Sequence, residues 1–239
     1  VPALRAEKVT ARYGPVTVVH EATVSVDDGA LVAVIGPNGA GKSTFVKALA
    51  GVLRPAGGKV LLGGEDISGL PAHKVARRGL GYVPQNSNVF PSLSVLENLE
   101  MGGFTRKDGL KERIAEVLDI FPDLAKATRK HAGALSGGQQ NMLAMARALM
   151  LDPRVMLLDE PTAGLSPAYT QVVWDQIRRL SQAGIATLVV EQNVDRALAN
   201  AGWVYVFVAG TNHVEGPSAE VAALDLASIF LGKATAYAS

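Results

Sequence analysis

Gly36-Pro37-Asn38-Gly39-Ala40-Gly41-Lys42-Ser43-Thr44 fits the pattern G-x-x-x-x-G-K-[ST]. Glycines at this spacing let successive backbone N–H groups curl round a phosphate. The N-terminus of a following helix adds partial positive charge. In this chemistry Lys42 reaches the β- and γ-phosphates and Ser43 ligates Mg²⁺. A second constellation is Asp159-Glu160, which follows the apolar run Val155-Met156-Leu157-Leu158. Asp159 is placed to hold Mg²⁺ directly or through water, and Glu160 to act as general base toward an attacking water. A third is Leu135-Ser136-Gly137-Gly138-Gln139. Ser136 is a good helix N-cap, Gln139 completes a capping-box spacing, and the two glycines allow close backbone approach. That helix start is suited to holding an anion.

These residues need elements to position them. Short Val-, Ile- and Leu-rich runs at Ala30–Ile35, Leu80–Val83, Val155–Leu158, Ala186–Val190 and Val204–Val208 read as strands buried on both faces. The segment 16–26 reads as antiparallel strand material. The phosphate loop follows one buried strand and precedes an apolar-periodic stretch, Phe45 to Leu49, as the motif requires. Ligands of open α/β sheets sit beyond the C-terminal strand ends, where both Gly36 and Asp159-Glu160 fall. Between about 86 and 151 the pattern changes. Ile114, Val117, Leu118 and Phe121 recur at helical spacing up to Pro122, which is expected to stop that helix, and a second helix is expected from near Ser136 to about Met150. The expected organisation is one α/β unit over 1–239, its core formed by 1–85 and 152–239 and a helical subdomain by 86–151.

Bulk properties set limits. The chain has 239 residues, 48% of them apolar and 19% charged, enough for a sizeable core and unlike a disordered chain. The formal net charge of +1 argues neither for nor against nucleic acid, and no long block of like charges forms a basic arm. There is no cysteine, so no disulfide or thiolate metal site. No apolar run approaches the roughly 20 residues that span a bilayer. The chain opens on Val1 rather than Met, leaving room for a native segment ahead of it. A guanine-reading N-K-x-D segment is absent, which argues against a GTPase.

With Leu135–Gln139 read as LSGGQ, the sequence resembles the ABC ATPases over nearly its whole length. The resemblance implies a P-loop core with an antiparallel β subdomain and an inserted helical subdomain, ATP and Mg²⁺ as cofactors, and ATP hydrolysis. It places Tyr13 at the adenine-stacking position, though a strand-end Tyr also serves simple packing. It places Gln85 at the glutamine that joins core to helical subdomain, among the catalytic and magnesium-binding residues, and Ala163–Pro167 in a loop that crosses a dimer interface. It further implies a head-to-tail sandwich, in which ATP lies between the phosphate loop of one chain and Ser136, Gly137, Gly138 and Gln139 of the other.

Glu191-Gln192-Asn193 departs from the family pattern, because Gln192 stands where a switch histidine is usual. An amide can hydrogen-bond a γ-phosphate oxygen but cannot become cationic. The same departure, together with segments 90–99 and 142–150, resembles the smaller ATPase subunit of branched-chain amino-acid importers. Expected partners are then a second ATPase subunit, two membrane permease chains and, indirectly, a substrate-binding protein, at the cytoplasmic face of the cell membrane. Nucleic acid is not an expected partner. The segment 86–94 would border the groove that receives a permease helix, with Phe90 either an exposed docking anchor or a core residue. The alternatives are an importer of urea or amides, an exporter ATPase, a soluble ABC ATPase outside transport, and a non-catalytic ATP-binding regulator.

Overall fold

The computed structural model describes residues 1–86 and 89–231. The elements run β1 (Leu4–Tyr13), β2 (Val16–Val26), β3 (Leu31–Ile35), α1 (Lys42–Leu49), β4 (Gly57–Leu62), β5 (Glu65–Asp66), α2 (Ala72–Arg77) and β6 (Leu80–Val83). Helices α3 (Val95–Gly102), α4 (Leu110–Ile120), α5 (Pro122–Ala125) and α6 (Gly137–Leu149) follow without an intervening strand. The chain then alternates β7 (Val155–Asp159), α7 (Pro167–Gln182), β8 (Ala186–Glu191), α8 (Val194–Asn200) and β9 (Trp203–Val208), and ends on β10 (Thr211–Pro217), α9 (Ser218–Ala222) and α10 (Leu226–Phe230).

Six strands form one sheet in the order β10-β9-β3-β8-β7-β6, parallel except for β10. Its central strands are apolar on nearly every residue because both faces are covered, the exceptions being Thr187 within β8 and the acids Asp159 and Glu191 that end β7 and β8. Leu31, Ala33 and Ile35 of β3 face the core shared with α3, α4, α6 and α7, while Val32 and Val34 face α1 and the second sheet. That second sheet is antiparallel, in the order β2-β1-β4-β5. Helix α1 lies between the two sheets, with Phe45, Val46, Ala48 and Leu49 buried, and the Phe45 ring packs on Phe207 at a centroid distance of 5.2 Å. Burial of a side chain such as Phe45 contributes about 1.5–3 kcal/mol.

The register sets the site. Ile35 lies beside Glu191 and Asp159 beside Val190, so the phosphate loop, the Asp159-Glu160 pair and Glu191-Gln192 all leave the sheet at one edge. Two local boundaries follow the expectations, and the first carries an addition. The helix containing Ile114 ends at Ile120, and Pro122 occupies the first turn of the short helix α5 rather than merely ending its predecessor. Proline is suited to that position, since its missing N–H would have no intrahelical partner. Strand β9 ends at Val208, as expected, and Ala209 takes φ 48° in the turn to β10.

A cavity of about 730 Å³ opens between the sheet side and the helical segment 86–151; its lining includes His73, Arg77, Tyr82, Met101, Phe104 and Arg147. Phe104 is 74% exposed beside it. Phe90 is also exposed, which excludes the core alternative, and its ring carries the Arg147 guanidinium 4.5 Å from the centroid. Ser87 and Asn88, within the segment assigned to the groove, lie outside the described residues.

Candidate active site at the C-terminal edge of the sheet

Gly41 caps α1 in the left-handed region at φ 90°, without a side-chain hydrogen bond and with no acidic residue in the first turn. The first N–H groups of α1 are thus left for an external anion. A side chain on Gly36 would place its Cβ 2.1 Å from the Phe207 carbonyl oxygen, so only glycine fits there. The Lys42 ammonium, nearly buried, donates to the carbonyl oxygens of Gly36 at 2.7 Å and Pro37 at 3.0 Å. Burial lowers its pKa, and the charges of Glu160, Asp159 and Glu191 oppose that shift. A small cavity of about 160 Å³ is lined by Val18, by the loop from Asn38 to Thr44 and by Glu160.

Ser43 and Asp159 come together across the sheet edge, the Ser43 hydroxyl donating to Asp159 Oδ1 at 2.8 Å. Burial raises the Asp159 pKa, the Ser43 bond counters it, and nearby Glu160 raises it further. A paired hydroxyl and carboxylate oxygen beside a phosphate loop fits a hard, oxygen-seeking cation. Tyr82 presents a buried hydroxyl with no hydrogen-bond partner among the described residues, and burial, followed by the charge of Asp159, raises its pKa.

Glu160 leaves β7 with φ 50°, an uncommon conformation for a residue with a side chain, held by its N–H donating to the Val190 carbonyl at 2.9 Å. Two exposed amides converge on its Oε2: Gln85 Nε2 and Gln192 Nε2 each donate at 2.6 Å. The Gln192 amide, whose chemistry also suits a γ-phosphate oxygen, thus has the Glu160 carboxylate as its partner within the chain. Glu191 is a residue the motif reading did not single out. It is almost fully buried and accepts the Thr162 hydroxyl at 2.7 Å. The signal that could have found it is a carboxylate ending a strand that is otherwise apolar apart from Thr187.

The segment Leu135–Gln139 starts α6 with a complete capping box: Gln139 N–H donates to Ser136 Oγ, and the Ser136 N–H donates to the Gln139 side chain. Gly138 abuts Tyr169 of α7 so closely that a Cβ would lie 2.4 Å from the ring, so its small size serves packing within the chain. Gly137 is open, with only Leu165 near. None of Ser136, Gly137, Gly138 and Gln139 lines the cavity at the phosphate loop. Tyr13 stands at the β1–β2 turn, half exposed, and does not line that cavity either.

Comparison with known proteins gives a consistent result. A family model described as "ABC transporter" matches residues 19–163. The chain is 42% identical over 205 residues to the high-affinity branched-chain amino acid transport ATP-binding protein BraG of Pseudomonas aeruginosa, covering 85% of this chain and 88% of that protein. It is 40% identical over 220 residues to the probable branched-chain amino acid transport ATP-binding protein LivF of Archaeoglobus fulgidus, covering 91% and 93%. A solved ATP-binding cassette of an ABC transporter in its ADP conformation superposes with a TM-score of 0.88 at 26% identity, covering 97% of this chain and 99% of that one. With a phosphate loop, an acidic pair and a capped signature helix in place, and relatives of this similarity spanning nearly its whole length, the chain belongs to the ABC transporter family, as an ATP-hydrolysing cassette that powers a transporter.

Proposed function

We propose that this cassette drives a membrane importer of branched-chain or other hydrophobic amino acids. The observation that carries the cargo reading is the identity of 42% and 40%, over most of the chain, to two ATP-binding proteins of branched-chain amino acid transport. The assembly comprises a second ATPase subunit and two permease chains at the cytoplasmic face of the membrane, fed by a binding protein. The core is formed by 1–85 and 152–239, with 86–151 as the helical subdomain. The 730 Å³ cavity between them, largely apolar with Arg77, Arg147 and His73 in its lining and edged by exposed Met101 and Phe104, is the surface for a permease helix. None of the signature residues lines the phosphate-loop cavity of the same chain, which supports a head-to-tail pair in which a partner supplies them.

The residues divide the work as follows. Loop N–H groups from Asn38 to Thr44 hold the phosphates, and Lys42 exchanges its two carbonyl partners for phosphate oxygens. Ser43 and Asp159 would hold Mg²⁺, with Gln85 beside them. Bound there, the cation would neutralise charge developing on the β- and γ-phosphate oxygens. Glu160 takes the proton of the attacking water, and the amides of Gln85 and Gln192 fix its carboxylate. Tyr13 offers an exposed ring for adenine.

The test is purification of the tagged chain from membranes, with two permease chains and a second ATPase expected to co-elute. In proteoliposomes, a binding protein loaded with leucine, isoleucine or valine should stimulate hydrolysis. Stimulation by urea or short amides instead would reassign the cargo, and elution without permeases would remove the transport complex.

A further inference from the structure

Glu191 has no part in the chemistry assigned so far, yet it is a buried carboxylate, 3% exposed, close enough to Lys42 and Glu160 to interact with their charges. It ends β8 directly beside Ile35, the residue before the phosphate loop. Its Oε1 accepts the hydroxyl of Thr162, itself 8% exposed. The backbone N–H groups of Gln192 and Asn193 are directed at the same carboxylate and favour its charged form against burial. The carboxylate is thus engaged by the protein's own donors, which argues against a second base or a metal ligand.

What those bonds connect is informative. Thr162 lies two residues beyond Glu160, at the start of the turn that leads into Ala163–Pro167, where Leu165 N–H donates back to the Thr162 carbonyl. Gln192 follows Glu191 directly and donates to Glu160 Oε2 at 2.6 Å. A closed ring results: Glu160 to Thr162 through the chain, Thr162 to Glu191 through a hydrogen bond, Glu191 to Gln192 through the chain, and Gln192 back to Glu160 through a hydrogen bond. Two chain segments and two side-chain bonds fix one carboxylate whose own backbone is held at φ 50°. The signature helix joins the ring from outside, since Asn141 of α6 donates from Nδ2 to the Pro161 carbonyl at 2.8 Å.

We propose that Glu191, through Thr162 and Gln192, is a positioning residue for ATP hydrolysis, closing a ring that sets the Glu160 carboxylate and ties it to the 163–167 loop. This rests on Glu160 being the base. A ring of this kind acts on the chemical step rather than on nucleotide binding, because none of its bonds reaches the phosphate loop. Outer-shell partners of this type, best measured at metal sites, alter activity by about 10- to 100-fold when removed.

The test measures turnover and ATP affinity of the assembled complex with this subunit changed. Thr162→Val keeps the volume and removes only the hydroxyl, so it should fold. We expect kcat to fall about 10- to 100-fold with ATP affinity held within about twofold. Glu191→Gln, which keeps an acceptor for Thr162, should retain much more activity than Glu191→Ala. The double variant Thr162→Val/Gln192→Ala should be no slower than its slower parent, because breaking one ring twice adds nothing. Wild-type kcat in Thr162→Val, or losses that multiply in the double variant, would overturn the ring. Glu160→Gln run in parallel separates the two levels. Full turnover by Glu160→Gln removes the base assignment and the ring with it, whereas a slow Glu160→Gln beside a wild-type Thr162→Val removes the ring alone.

Discussion

Lys42 donates two hydrogen bonds to carbonyls of its own loop while nearly buried among three carboxylates. Its replacement by alanine therefore removes a desolvated cation from the phosphate site. A charge-assisted bond is worth about 1.5–3 kcal/mol, so Lys42→Ala should weaken ATP binding roughly 10- to 150-fold by calorimetry. The acidic residues work in the opposite sense in the empty protein. Burial raises the pKa values of Asp159 and Glu191 above their ordinary range. The folded state then binds more protons than the unfolded one, so these groups take stability away as pH rises from ordinary carboxylate values through the raised ones. Asp159→Asn, which keeps an acceptor for Ser43, should raise the Tm of the nucleotide-free protein at pH 7 and flatten its fall across that window, while abolishing hydrolysis. A lower Tm at pH 7 would contradict this electrostatic account. The phosphate loop and the Asp159-Glu160 pair were legible in the sequence because each is contiguous. The bonds to Glu160 from Gln85 and Gln192 and from Thr162 to Glu191 were not, for they join residues 75, 32 and 29 positions apart, and no local spacing encodes them.

At the scale of elements, α6 meets α7 through the contact of Gly138 with Tyr169. A methyl group at 138 overlaps the ring unless the helices part, and overpacking of this kind costs about 1–3 kcal/mol. Gly138→Ala should lower Tm accordingly, while Gly137→Ala, whose nearest neighbour would be a Leu165 methyl at 3.6 Å, should have little effect. Equal losses at both positions would mean that helix propensity, not packing, explains the pair. The same scale shows why some elements were readable. Strands β3, β7, β8 and β9 lie between two cores and are mainly apolar runs, interrupted by Thr187 and ended in β7 and β8 by Asp159 and Glu191. Strand β10, Thr211–Pro217, carries a single aliphatic residue and exists because β9 supplies its partner hydrogen bonds. Strand β4 opens on two glycines and turns only Val60 and Leu62 fully inward. The end of α4 was legible and the start of α5 was not, because one proline serves both.

For the molecule as a whole, the signature residues of α6 stay outside the phosphate cavity of their own chain. Ser136→Arg should accordingly leave hydrolysis at the site holding this chain's Lys42 intact and block the partner's site, since a bulky cation displaces the cap and the approaching nucleotide. Nucleotide crosslinking in a two-ATPase complex assigns the damaged site, and damage confined to the Lys42 site would refute the head-to-tail arrangement. The fold class was legible because alternating strands and helices with a helical interruption admit few layouts; the depth of the groove between the two parts was not, since its walls come from 50–84 and 101–151. That groove has a kinetic consequence. Its charged lining residues are basic, Arg77 and Arg147 with His73 alongside, and no acidic residue lines it among the described residues. Fixed positive charge in a low-dielectric recess draws an oppositely charged segment from beyond contact range. If the groove receives a permease segment as proposed, this charge would guide their diffusional encounter, which would slow as ionic strength rises, whereas the apolar wall would set how long the docked complex survives.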